Sequence, residues 1–244
     1  MKKFELTGEF VTNIFEKKLF RIRALVAFGN VEAGELGGYV EKEENLSDDG
    51  NAWVSGDAWV YGNARVSGDA QVSGDAQVYG DAWVSGDAWV YGNAQVSGDA
   101  WVYGNARVSG DAQVSGDAQV YGDAWVSGDA WVYGNAQVYG DAWVSGDAWV
   151  YGNARVSGDA QVSGDAWVYG DDDILQITGL GTVHRTTTVF RTTDGIRIAC
   201  GCFYGDLDAF REQVKNTREG KVQCEYLAFA DLVEIYFGEE EEDE

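Results

Sequence analysis

From Gly50 to Tyr169 the chain is one six-residue unit, Gly-Asp/Asn-Ala-x-Val-Ser/Tyr, written twenty times without an insertion or deletion. In an extended segment alternate side chains share a face, so Ala52 and Val54 point one way while Trp53 and Ser55 point the other. The interior that follows is dry and made of Ala and Val alone. Gly with Asp or Asn supplies a corner, because Gly reaches positive φ without steric cost and Asx side chains bond turn backbone. Strands of about four residues that all repeat the same in-out order cannot form a hairpin meander, which leaves a parallel coil. Three hexads make a triangular coil of eighteen residues, so twenty hexads give six and two-thirds coils. At roughly 4.8 Å per coil that is a rod on the order of 30 Å long.

The flanks break the period. Phe4, Leu6 and Phe10, then Leu19 to Leu25, alternate as strands, and Leu36-Gly37-Gly38-Tyr39-Val40 with Asn45-Leu46-Ser47 reads as a degenerate first coil. After Gly170 the run Asp171-Asp172-Asp173 interrupts the unit, and Ile174 and Leu180 keep the spacing of six for a further fraction of a coil. Residues 183–191 and 196–203 read as a hairpin around Asp194-Gly195. Asp206 is placed to cap a helix carrying Leu207, Phe210 and Val214 that closes at Gly220, and residues 222–237 form a second helix. The chain thus divides into an N-terminal β cap (1–49), a repeat (50–170), a C-terminal α/β cap (171–238) and an acidic tail (239–244) expected to be disordered. Caps are required because a bare solenoid end exposes its core and unpaired strand edges.

The motif Val-x-Gly-Asp/Asn-Ala-x resembles the hexapeptide signature of left-handed β-helix proteins in the lipid A acyltransferase-like superfamily. The resemblance implies a mainly β fold, a single-stranded parallel left-handed β-helix, and it raises acyl transfer as an activity. Phe28-Gly29-Asn30-Val31, Leu36-Gly37-Gly38-Tyr39, Arg185-Thr186-Thr187-Thr188-Val189-Phe190 and Cys200-Gly201-Cys202-Phe203 are similar to segments of uncharacterised bacterial and phage hexapeptide-repeat proteins, some of them labelled acyltransferases. Hexapeptide acyltransferases generally carry a catalytic His on or beside the helix and often a loop that leaves it. Here the repeat has neither, and the single His, His184, lies in the C-terminal flank, where it is read as a cap residue and not as a base.

Forty-one acidic against seventeen basic residues give a net charge of -24, which opposes direct contact with nucleic-acid phosphate or anionic lipid and favours a basic protein partner. The N-terminus shows no secretory-leader pattern and no apolar run approaches a bilayer span, so a cytoplasmic protein away from membranes is expected. Three Cys, Cys200, Cys202 and Cys224, make no disulfide framework. Their spacing, even with His184, fits a zinc knuckle poorly, and buried inert thiols are expected instead. The fourteen Asp and six Asn of the hexads are read as turn formers bonded to local backbone rather than as calcium ligands. No metal and no cofactor is expected.

All ten Trp lie in the repeat. Stacking at eighteen residues places Trp131, Trp149 and Trp167 in one column, Trp125 with Trp143 in a second, Trp83 with Trp101 in a third, and Arg107 between Trp89 and Trp125. Such columns are either ladders that stiffen the sheet or a surface for a partner. Residues 56–97 and 98–139 are the same block of 42 residues apart from Ser97 against Tyr139, which points to recent duplication or deliberate construction. Seven hexads are not a multiple of three, so the second copy is turned by one face. The expectation is a non-enzymatic solenoid, a capped scaffold that self-associates or binds a protein partner through its aromatic faces. Two alternatives stand beside it: an acyltransferase-like enzyme, and an acidic mimic of nucleic acid.

Overall fold

The computed structural model of the chain describes residues 2–182 and 185–238, so His184 and the acidic tail lie outside the described residues. Three strands open the fold: β1 (Phe4–Thr12), β2 (Lys18–Ala24) and β3 (Leu36–Val40). Each runs antiparallel to its neighbour, and β3 then pairs in parallel with the Trp59–Val60 strand, converting a meander into a coil. The repeat forms one short strand per hexad, β4 to β23, from Trp53–Val54 to Trp167–Val168. Strands at every third hexad pair in parallel, giving three faces. The first face carries β1 to β3 and runs from Trp59 to Trp167; the second runs from Trp53 to Gln161, and the third from Arg65 to Arg155.

Most repeat strands span two residues, not the four expected, with Gln119–Gly122 and Gln137–Gly140 the longer ones. The ladder itself is not broken at the corners. Asp57 N donates to Gly74 O at 2.9 Å, Trp59 N to Ala76 O at 2.9 Å and Tyr61 N to Val78 O at 3.0 Å, and the pattern recurs along the rod. Alternate residues therefore bond to the next coil even where the chain turns, which answers the demand that buried backbone polar groups be paired. Every Ala and Val of the hexads is at most 2% exposed, so the interior is the Ala and Val column that alternation demands.

Each end of the rod is closed by side chains that replace missing strands. At the start, Lys3 Nζ donates to Ala52 O at 2.9 Å and Gly50 O at 3.3 Å, while buried Asn45 Nδ2 donates to Ala64 O at 2.8 Å and Gly62 O at 3.2 Å. Burial lowers the pKa of Lys3 below its ordinary value, against the pull of Asp48, Asp69 and Asp49. Asn45 also accepts from Lys42 N at 2.9 Å, so Asn45→Ala removes both its donor and its acceptor roles. We expect that variant to lose about 1–3 kcal/mol in urea denaturation, the range for stranding buried polar groups. An unchanged midpoint would show that the first coil does not depend on this plug.

At the far end β24 (Ile174–Leu180), β25 (Arg185–Thr192), β26 (Gly195–Cys200) and β27 (Phe203–Gly205) form an antiparallel sheet, followed by α1 (Leu207–Thr217) and α2 (Gly220–Phe237). Neighbouring residues on β25 and β26 face opposite ways. Phe190 and Ala199 join the solenoid core and stop its open end, whereas Val189 and Ile198 pack with Phe210, Val214, Phe229 and Val233 of the helices. Polar groups close the last coil: Gln176 Oε1 accepts from Ser157 N at 3.2 Å, Thr188 Oγ1 accepts from Gln161 N at 3.2 Å, and the Tyr204 hydroxyl donates to Ser163 O at 3.1 Å.

Three expectations for this region are corrected. Ile174 to Leu180 is not a further coil fraction, because β24 pairs antiparallel with β25 and sends Leu175, Ile177 and Leu180 against the helices. The departure starts at the Asp171–Asp173 turn, where the Asp173 carboxylate accepts from Tyr169 N at 2.9 Å and Gly170 N at 3.3 Å. The hairpin loop is Thr193-Asp194, since Thr192 pairs with Gly195. Asp206 caps α1 as expected, accepting from Ala209 N at 2.8 Å, but α1 ends at Thr217 and Gly220 opens α2. Arg218 has an extended backbone and supplies the break.

Candidate functional site

The outward fourth position of each hexad holds Trp, Gln or Arg, and the register brings the singled-out Trp together as the spacing requires. Trp131 pairs with Trp149, Trp149 with Trp167, Trp125 with Trp143, and Trp83 with Trp101. The rings of Trp131 and Trp149 stack at 5.2 Å and 4°, and those of Trp125 and Trp143 at 5.3 Å and 5°. Trp83 meets Trp101 edge to face at 5.3 Å and 65°. In the parallel pairs the ring faces cover each other. Such pairs add about 0.5–1.5 kcal/mol each beyond area burial. Arg107 lies between Trp89 and Trp125 in register and approaches the Trp125 ring at 5.9 Å.

Some indole N–H groups are held by the sixth position of the preceding coil. Trp83, Trp125 and Trp143 donate to Ser67, Ser109 and Ser127 at 3.1, 3.0 and 3.3 Å. Tyr151 occupies that position below Trp167, and its hydroxyl accepts from the Trp167 N–H. Trp167 lies at 60° to Trp149, with centroids 6.4 Å apart.

Sequence reasoning missed a second set of ladders, in the sixth position. Tyr61 stacks on Tyr79 at 5.1 Å, Tyr103, Tyr121 and Tyr139 form a continuous stack at 4.9 and 5.0 Å, and Tyr133 stacks on Tyr151 at 4.9 Å. Their eighteen-residue spacing is visible in the chain, and the same rule that aligned the Trp columns finds them. Burial, and then the neighbouring Tyr79, push the Tyr61 phenol up to about 12. Burial also raises Tyr103, Tyr121 and Tyr133, so these phenols keep their protons at neutral pH.

On the first face the two kinds of ladder lie side by side. Tyr133 touches Trp149 edge to face at 6.4 Å, and Tyr151 reaches Trp167 at 6.4 Å. Trp131, Trp149 and Trp167 are 38%, 41% and 47% exposed, and Tyr169 is 62% exposed. Not every Trp of the repeat is outward and wet. Trp53 is buried, because Phe28 of the N-terminal cap covers it edge to face at 5.4 Å.

The corners and thiols differ from expectation. Corner side chains bond between coils: Asn63 Nδ2 donates to Asp81 at 2.9 Å, Asn93 to Asp111 at 2.8 Å and Asn105 to Asp123 at 2.8 Å. Local turn bonding is not needed, since the corner backbone already joins the ladder. Cys202 and Cys224 are exposed and Cys200 is half-buried, not the buried set expected. Cys202 sits in the turn between β26 and β27, and Cys224 on the outer side of α2. Among the described residues no three metal-ligating side chains converge, and no helix is long and apolar enough to cross a membrane.

A family model described as the YdcK beta solenoid repeat matches residues 58–74, 76–92, 94–110, 100–116, 118–134, 136–152 and 148–164. No curated protein matches the chain. The matched segments fall within the parallel coils, with eighteen residues separating stacked partners such as Trp131 and Trp149. The chain is a β-solenoid repeat protein, built as a parallel coil between a β meander and an α/β cap.

Proposed function

We propose that this solenoid is a non-enzymatic scaffold, a rigid capped rod that binds a basic protein partner along the face of Trp131, Trp149 and Trp167. The observation behind this reading is the pairing of Trp and Tyr ladders on that face, half-exposed and bordered by Asp129, Asp147 and Asp165. Contiguous exposed aromatics suit an interface, and a net charge of -24 selects a cationic counterpart. A non-enzymatic role is supported by twenty unbroken hexads without a His.

The test is calorimetric titration of an oligolysine peptide into the wild type and a Trp131→Ser, Trp149→Ser, Trp167→Ser variant, at low and moderate salt. The aromatic face predicts a loss of affinity of roughly tenfold or more in the variant, consistent with cation–π contacts of about 0.5–1 kcal/mol each at exposed sites. Equal binding by both proteins, or no binding to either, removes the proposal. Light scattering of both proteins alone reports whether the same face instead joins copies of the chain.

A further inference from the structure

The first face does not end as a closed stack. Trp131 and Trp149 are parallel, but the last indole, Trp167, lies at 60° to Trp149 with centroids 6.4 Å apart, so the two ring planes form a wedge. A notch of about 280 Å³ occupies that wedge, lined by Asp147, Trp149, Asp165, Ala166, Trp167 and Thr193. Thr193 comes from the β25–β26 turn, so the C-terminal cap supplies one wall. Asp147 and Asp165 are exposed corner residues and make no salt bridge among the described residues.

Two indoles lining one open notch with two carboxylates beside them are a recognised chemistry. Ring quadrupoles attract a cation held within about 6 Å of the centroid, and they prefer one that sheds its water easily. A hard metal ion would want several converging oxygens, which this notch lacks. A bare anion would meet both carboxylates. An alkylated ammonium fits, because its methyl groups fill apolar space while its charge faces the rings and Asp147 and Asp165.

We infer that the Trp149–Trp167 notch is a binding site for an alkylated ammonium group. This deepens the partner-face reading by naming the cation the face receives. The group can come from a free quaternary amine or from a trimethylated lysine of the partner.

The test is calorimetry with choline, with its neutral isostere 3,3-dimethylbutan-1-ol, and with a short peptide carrying trimethyllysine or unmodified lysine. Choline is expected to saturate, with the isostere at least about fivefold weaker, as a cation–π contribution requires. A methylated peptide that binds at least about fivefold more tightly than choline identifies the protein source, and choline alone identifies the small molecule. Trp167→Ala and Asp165→Asn are expected to weaken choline, while Trp83→Ala on the third face leaves it unchanged. Circular dichroism verifies that Trp167→Ala keeps its coil, and Asp165→Asn, at an exposed corner, tests the site if it does not. Equal binding of choline and the isostere, or undiminished binding in Asp165→Asn and Trp167→Ala, overturns the inference. Absence of choline binding removes the notch while oligolysine binding to the wider face still stands.

Discussion

Val102→Asp is expected to lower the unfolding free energy by about 4 kcal/mol or more, the range for a buried charge without a partner. Val102 is fully buried and sits in the third-face column between Val84 and Val120, themselves fully buried. Its neighbours inside the coil are other Val and Ala side chains, so an aspartate there finds neither a cation nor a donor. Because each coil of a solenoid contacts only the next, the damage should start locally. Guanidinium denaturation followed by circular dichroism measures the loss, and limited proteolysis should cut near residue 102 before the ends. A midpoint equal to the wild type would contradict the dry core.

Gly98→Ala is the second large effect. Gly98 has φ of +67°, and an added Cβ would lie 2.9 Å from Gly116 N and 3.0 Å from Gly116 O. Positive φ alone costs an L-residue roughly 1–2 kcal/mol. The contact is with backbone of the next coil, which cannot swing aside, so strain of roughly 1–3 kcal/mol is added. Gly158 separates the two contributions, since its φ is +59° but a Cβ there meets nothing within 4 Å. Gly158→Ala should show the conformational part alone, and Gly98→Ala that part plus the steric one. Equal losses at the two sites would mean that corner stacking contributes nothing.

The coil was legible because its rule is local and repeated. Ala and Val in alternation fix the interior, and Gly-Asx fixes the corner, so the register of Trp131 on Trp149 followed from counting residues. The same counting would have given Tyr103 on Tyr121. What counting does not reveal is how the ends are met. Lys3 and Asn45 reach the first coil across 49 and 19 residues respectively to bond Ala52 and Ala64, and no period marks them. Ile174 and Leu180 kept the spacing of six by composition, yet the turn at Asp171–Asp173 had already redirected the chain. Exposure of Cys202 and Cys224 likewise depends on the fold of the cap and not on the identity of the residue. In the candidate site, the columns were readable, whereas the 60° tilt of Trp167 against Trp149, at the last coil before the cap, is not contained in the spacing.

Both caps are bolted to particular faces: Lys3 to the strand entry at Ala52, Tyr204 to the corner at Ser163. The azimuth between the two ends is therefore set by the number of hexads modulo three. A block of 42 residues is two coils of eighteen plus one hexad. Each added copy acts as a screw thread, advancing the far cap by about 11 Å at roughly 4.8 Å per coil and turning it by about a third of a revolution. Gains or losses of three hexads change the length alone and keep the two ends pointing the same way.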